Sequence, residues 1–155
     1  MLNKELMKLG IFLVKAKKAT YASQGEANET ILADGGKEFT YAANGFNYRD
    51  RYYGFNPFSG QEVVSKNKAV IWAMNYYGRI IDSPISPKEA YAFLKEALRQ
   101  VEKELPYRGP ARFKKGKFEY SHESTGSIDE FMGEEIIRYN AKGVYKLYYH
   151  GGLIK

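Results

Sequence analysis

The chain has 155 residues, 44% of them hydrophobic and 27% charged, with a formal net charge of +6 and no cysteine. That length supports one domain with a real core, and that hydrophobic share excludes a disordered chain. The lack of cysteine excludes disulfides, a thiolate zinc site and a cysteine nucleophile, while the surplus of cations permits nucleic-acid contact without requiring it, because Lys and Arg alternate with Asp and Glu along the chain.

Taken in order, the N-terminal segment sets Leu2, Leu6, Leu9 and Leu13 at helical spacing, with Met7, Ile11 and Val14 widening the apolar face. Its one continuous apolar run, residues 11–14, is too short for a signal sequence or a membrane span, so a cytoplasmic protein with no membrane partner is expected. Residues 20–38 follow as a long segment outside any periodic element. "TYAANGFNY" then carries Asn44-Gly45, the favoured two-residue hairpin turn, between aromatic-rich arms, and "VVSKNKAVIW" reads as a second hairpin. Ser86-Pro87-Lys88-Glu89 is a capping box with proline at the first helical position. The spacing of Tyr91, Leu94, Leu98, Val101 and Leu105 predicts a helix over 86–104, stopped by Pro106. "RFKKGKFEY" and "IIRYNAKGVY" repeat the two-hairpin pattern before the chain ends on "YYHGGLI".

The second half echoes the first. At an offset of 73 residues, Phe58/Phe131, Gly60/Gly133, Glu62/Glu135, Asn67/Asn140, Tyr76/Tyr149, Gly78/Gly151 and Ile81/Ile154 are identical, and Trp72/Tyr145 and Met74/Leu147 keep their bulk. The expected fold is therefore α+β, a single domain 1–155 built from two similar halves, about 1–82 and 83–155. Each half is a helix plus about four antiparallel strands, giving a tandem repeat about a pseudo-twofold with the helices packed on one face of the sheet.

Strand alternation sorts the matched segments into two rows. Trp72, Met74 and Tyr76, with Tyr145, Leu147 and Tyr149, form the bulkier row and belong beneath the helices. Asn75 and Tyr77, with Tyr148 and His150, fall in the polar-tipped row and suit an open face. Glu62 and Glu135 read first as solvated strand-entry residues, since carboxylates rarely bury unpaired. Turned into a shared cleft, they make a paired acidic floor. Arg79 matches Gly152 across the offset, so only the first half offers a guanidinium for an anion there, and Gly151-Gly152 reads as a turn beside the ligand. His122 falls in line with Phe118 and Tyr120, with Asp50 at the matching place, and Tyr107 and Arg108 in "LPYRGP" border the cleft. No phosphate loop, dinucleotide fingerprint, nucleophile elbow or metal-ligand spacing is present, so neither cofactor nor metal is expected.

The stretches "FLVKAKKATYA", "MNYYGRI", "LPYRGP", "FEY", "GEEII" and "YYHGGLI" resemble, in the same order, a family of small bacterial and archaeal proteins catalogued as a domain of unknown function. Some members of that family are joined to a helix-turn-helix DNA-binding domain, which is not read in this chain. The resemblance implies an accessory sensing domain in preference to a metabolic enzyme, and brings no functional residues with it. Duplicated α+β halves also resemble the small-molecule-binding modules of bacterial multidrug regulators, at the level of fold only.

The expected function is a small-molecule-binding or sensor-type domain, with an aromatic-lined cleft on the open sheet face. Its residues would be Glu62, Asn75, Tyr77, Arg79, Glu135, Tyr148 and His150. The first alternative is a hydrolase-like enzyme using His150 with Glu62 or Glu135. The second is nucleic-acid binding through exposed tyrosines and basic segments. The chain is read as a monomer or homodimer.

Overall fold

A computed structural model describes residues 3–23 and 29–155. The elements run α1 (Asn3–Ala19), β1 (Thr30–Ile31), β2 (Lys37–Ala43), β3 (Phe46–Gly54), β4 (Phe58–Lys66), β5 (Ala69–Ile80), α2 (Pro87–Leu98), β6 (Arg112–Lys115), β7 (Phe118–Ser127), β8 (Glu130–Tyr139) and β9 (Lys142–Leu153). Of the long segment 20–38, residues 24–28 lie outside the described residues, as does Leu2. The remainder holds a turn after α1, strand β1 and the start of β2.

Turn chemistry sets the hairpins. Asn44 and Gly45, Asn67 and Lys68, and Asn140 and Ala141 all take positive φ. Successive left-handed residues make the tight turn that matches strand twist, and asparagine tolerates that region better than most residues. The strands join into one antiparallel sheet of nine, in the order β1-β2-β3-β4-β5-β9-β8-β7-β6.

This corrects the expected tandem helix-plus-strands fold. Strand β5 pairs directly with β9, from Trp72 opposite Leu153 to Ile80 opposite Tyr145, so the strands form a single sheet. Only two helices accompany it among the described residues, one of them N-terminal, and they differ in length, 17 against 12 residues. Hydrogen bonding between the inner strands satisfies backbone groups that two separate units would leave at open edges. Helix α2 also ends sooner than the apolar spacing suggests. The Ser86 capping box forms as read, but the helix stops at Leu98. Val101 is still buried, delivered by a turn that carries the chain inward to Tyr107, Arg108 and Gly109.

One face of the sheet carries the core. Trp72, Met74, Tyr145 and Leu147 are fully buried, in one cluster with Leu9, Phe12 and Leu13 of α1 and Phe93, Leu94 and Leu98 of α2. Trp72 stacks on Phe131 and donates its indole N–H to the Ile128 carbonyl at 3.1 Å. Each such side chain contributes about 1.5–3 kcal/mol by leaving water. Among the described residues no helix is long and apolar enough to cross a membrane.

Candidate functional site

The seven residues singled out from the sequence fall on both faces of the sheet. Asn75, Tyr77, Arg79, Tyr148 and His150 stand on the open face, where Tyr77 registers with Tyr148, Asn75 with His150, and Arg79 with Lys146. Tyr77 and Tyr148 are about half exposed, at 48% and 55%. Asn75 accepts a hydrogen bond from Gln61 at 3.0 Å, and Lys146 sits over the Tyr148 ring and pairs with Glu134 at 3.2 Å. Gly151 and Gly152 lie within β9, registered with Met74 and Ala73, and form no turn. A side chain at Gly151 would place its Cβ 2.1 Å from the Ala73 carbonyl, so glycine there serves strand approach.

Glu62 and Glu135 lie on the other face, registered with Met74 and Leu147. Both are fully buried, which overturns the solvated reading. They do not pair with each other, and His150 is on the far side of the sheet from both.

Each glutamate has its own cation. Lys17, on the core side of α1 one turn after Leu13, forms an ion pair with Glu62 in which both side chains are fully buried. Arg108 donates to Glu135 at 2.6 Å. Glu135 also accepts from Tyr120 at 2.6 Å and Tyr145 at 2.8 Å. Burial pushes Glu135 towards the neutral form, but Arg108 and these hydrogen bonds outweigh it and hold its pKa below the usual glutamate value. Burial lowers the Lys17 pKa against the pull of Glu62. Burial also opposes the charge on Arg108, but Glu135 more than compensates and the guanidinium stays charged.

Two further buried residues complete the layer. His122 Nδ1 meets the Gly109 carbonyl at 3.0 Å, and Nε2 meets the Tyr149 hydroxyl. A carbonyl only accepts, so Nδ1 carries the proton and Nε2 accepts from the tyrosine. Burial lowers the ring's pKa and keeps it neutral. Asp50 is paired across β3–β4 with Glu62 and accepts from Tyr76 at 2.6 Å. Burial, then the Glu62 charge, raise its pKa to about 7.

Above Asp50 opens a cleft of about 550 Å³ between α2 and this face of the sheet. Phe39 and Tyr52 form one wall, Tyr91, Leu94 and Leu98 the other, with Phe58 and Tyr76 between them. Tyr21, Asp50 and Arg108 lie at its floor, and Lys37, Lys88 and Lys95 at its mouth. Two floor groups have no hydrogen-bond partner among the described residues, Arg108 Nε and the Tyr21 hydroxyl. Deeper in the same layer, Glu62 Oε1 and the Tyr48 hydroxyl are also unpaired. No group of three or more His, Asp or Glu among the described residues is placed to hold a metal.

Arg108 does border a cleft, though not the one expected. Lys17, Asp50 and Tyr21 are among the residues of this layer that the sequence does not single out as a site, and the first two carry a signal. Lys17 interrupts the apolar side of α1, and Asp50 falls in the inward row of Phe46, Tyr48 and Tyr52.

The chain belongs to the family described as a domain of unknown function (DUF5680), whose family model matches residues 50–154. Asp50, Glu62, Arg108 and Glu135 lie within the match, whereas Lys17, Tyr21 and Phe39 precede it. No curated protein and no solved structure matches the chain.

Proposed function

We propose that this DUF5680 member is a ligand-binding, sensor-type domain that takes a small organic molecule into the cleft between α2 and the sheet. The observation that carries the reading is an aromatic-walled cleft ending on buried polar groups without partners, Arg108 Nε and Tyr21. Pockets for organic ligands are commonly about 300–1,000 Å³, mostly apolar, with a few polar groups that orient the guest. Unpaired buried donors are costly, at about 1–3 kcal/mol each, and a ligand that satisfied them would recover that cost on binding. The same proposal keeps the domain in the cytoplasm, on the short apolar run of residues 11–14.

A metabolite library screened by thermal shift tests this, with the Ala92→Trp variant beside the unaltered chain. Ala92 lies on the exposed side of α2 and lines the cleft, so the indole would fill the space while leaving the core alone. Compounds that stabilise the unaltered chain should lose that effect in the variant. Compounds that keep it in Ala92→Trp and lose it in Tyr77→Ala or Tyr148→Ala would move the site to the open face and sink the proposal.

That open face supports a second reading. Tyr77 and Tyr148 stand side by side and exposed, with Arg79 and Lys146 adjacent, as a stacking platform for single-stranded nucleic acid requires. Binding of that kind would weaken steeply as salt rises.

A further inference from the structure

We infer that the ligand of the α2 cleft is an organic acid, an aromatic or otherwise planar apolar body whose carboxylate is received by Arg108 and Tyr21 beside a protonated Asp50. This rests on the ligand-binding reading of the cleft and specifies its chemistry. The unpaired floor groups set the polarity of the guest. Arg108 is 3% exposed and its Nε can only donate, and Tyr21, whose ring lies beneath the Arg108 guanidinium at 5.6 Å, has a hydroxyl proton to give. A guest that brings acceptors satisfies both, whereas an ammonium group brings only more donors.

Charge at the floor points the same way. Lys17 offsets Glu62 and Arg108 offsets Glu135, which leaves Asp50 as the surplus carboxylate. The groups around Asp50 come from every neighbouring element. Lys17 and Tyr21 approach from α1 and the turn after it, Glu62 from β4, Tyr76 from β5 and Arg108 from the turn after α2. Strand β2 brings Lys37 to the mouth, already paired with Glu29 at 3.5 Å. Helix α2 brings Lys88 and Lys95, two turns apart, with no ion pair among the described residues. A cationic guest would have to pass these lysines and settle beside Arg108 and Lys17 with Asp50 as its single anionic partner. An acid passes attractive charge at the mouth and meets donors at the floor.

The cost of an acid falls on Asp50. Two carboxylates cannot both remain ionised in one buried floor, so the guest's charge is accommodated by a proton on Asp50. The proton lets Asp50 donate as well. Burial and Glu62 already hold Asp50 near the point where that proton is taken up, at about 7. Binding of an acid is therefore coupled to proton uptake, and binding of a cation would be coupled to proton release.

Calorimetric titration of the full chain with a panel of aromatic acids and amines tests this, 1-naphthylacetate and 1-naphthylmethylamine being the matched pair. Acids should bind in preference to amines, and their Kd should weaken roughly 30-fold between about pH 6 and about pH 8.5, as expected for one required proton with a pKa near 7. Asp50→Asn supplies a permanently neutral group, so it should bind at about pH 8.5 as tightly as the unaltered chain does at about pH 6. Tyr21→Phe should cost about 3- to 10-fold in acid affinity at either pH, the value of one hydrogen bond. Amines preferred over acids, tighter binding at high pH, lost binding in Asp50→Asn, or no binding by any acid of the panel would each overturn the acid assignment. Binding of both classes unchanged by Ala92→Trp would instead overturn the cleft as the site.

Discussion

Glu135 and Glu62 occupy matching places on β8 and β4, both fully buried and both facing a second polar residue across the next strand, His122 and Asp50. Their surroundings differ. Around Glu135 both carboxylate oxygens are matched: Arg108, Tyr120 and Tyr145 all donate to it, Gly109 donates to Tyr120, and His122 is held at both ring nitrogens, while Arg108 Nε, at the floor of the cleft, is left unpaired. Around Glu62 the match is incomplete, because Glu62 Oε1, Tyr48 and Tyr21 have no partner and Asp50 has no cation of its own. Even the room for the tyrosines is supplied alike, since a Cβ on Gly60 or Gly133 would lie 2.3 Å from the hydroxyl of Tyr76 or Tyr149. Satisfied buried networks rigidify a core, whereas groups left unsatisfied call for a further partner. The Glu135 side reads as scaffold, and the Glu62 side, where the cleft opens, is where the proposed guest would find its partners.

The largest test breaks an ion pair on each side. Glu135→Gln leaves Arg108 buried without a counterion, and a guanidinium cannot shed its charge, so a loss of about 3–5 kcal/mol is expected. Glu62→Gln leaves a lysine that burial already biases towards neutrality, so its loss should be roughly 1–3 kcal/mol. Urea unfolding followed by the emission of Trp72, the one tryptophan, measures both. Equal losses would erase the distinction between the two sides.

Next in size is Asp50→Asn. The folded pKa of about 7 stands above the ~3.9 of an unfolded aspartate, so the folded chain holds an extra proton between those values. Stability from this group therefore falls as pH rises from about 4 to about 7 and is level above. The variant should lose that slope and be more stable than the unaltered chain at about pH 8, by on the order of 2–4 kcal/mol. Glu135 carries the opposite sign: its folded pKa is lowered, so its contribution is present above the unfolded value and lost as pH falls through the folded one. Thermal melts across that range decide it, and a variant no more stable at high pH would make Asp50 an ordinary structural carboxylate.

The smallest effect comes from deleting a hydroxyl on each side. Tyr120→Phe removes the link between the Gly109 N–H and Glu135 and should cost about 1–3 kcal/mol. Tyr48→Phe removes an unpaired hydroxyl and should change stability by less than about 0.5 kcal/mol, or raise it. A cost at Tyr48 to match that at Tyr120 would show that its surroundings are closed after all.

Much of this was legible locally. Asn44-Gly45 makes its hairpin, the Ser86 box caps α2, and the alternation of Trp72, Met74 and Tyr76 assigns the buried row. What escaped depends on distant contacts. A lone glutamate in a strand reads as solvated, and nothing near Glu62 or Glu135 announces that cations 45 and 27 residues away meet them. Hydrophobic pattern likewise leaves open which strand edges pair, so the β5–β9 pairing at the centre of the sheet was invisible. The α2 cleft was illegible for the same reason: exposed aromatics at Tyr77 and Tyr148 mark the open face in the sequence, while the gap beside α2 exists only once helices and sheet are packed.

An open sheet of nine strands has two edges at which another chain could add itself, and both are blunted here. On one side β1 covers Lys37 and Glu38 of β2, and Phe12 of α1 packs on Tyr41 further along. On the other side β6 has four residues, Arg-Phe-Lys-Lys, so an incoming strand meets three cations before it meets much backbone. Beyond β6, the free end of β7 passes through Gly126 at positive φ, a departure from the extended backbone that an incoming strand would match. Short edges, like charge and a locally twisted strand all hinder strand-to-strand growth. A chain rich in tyrosine and phenylalanine, built around one wide sheet, is thereby guarded against polymerising through its own architecture.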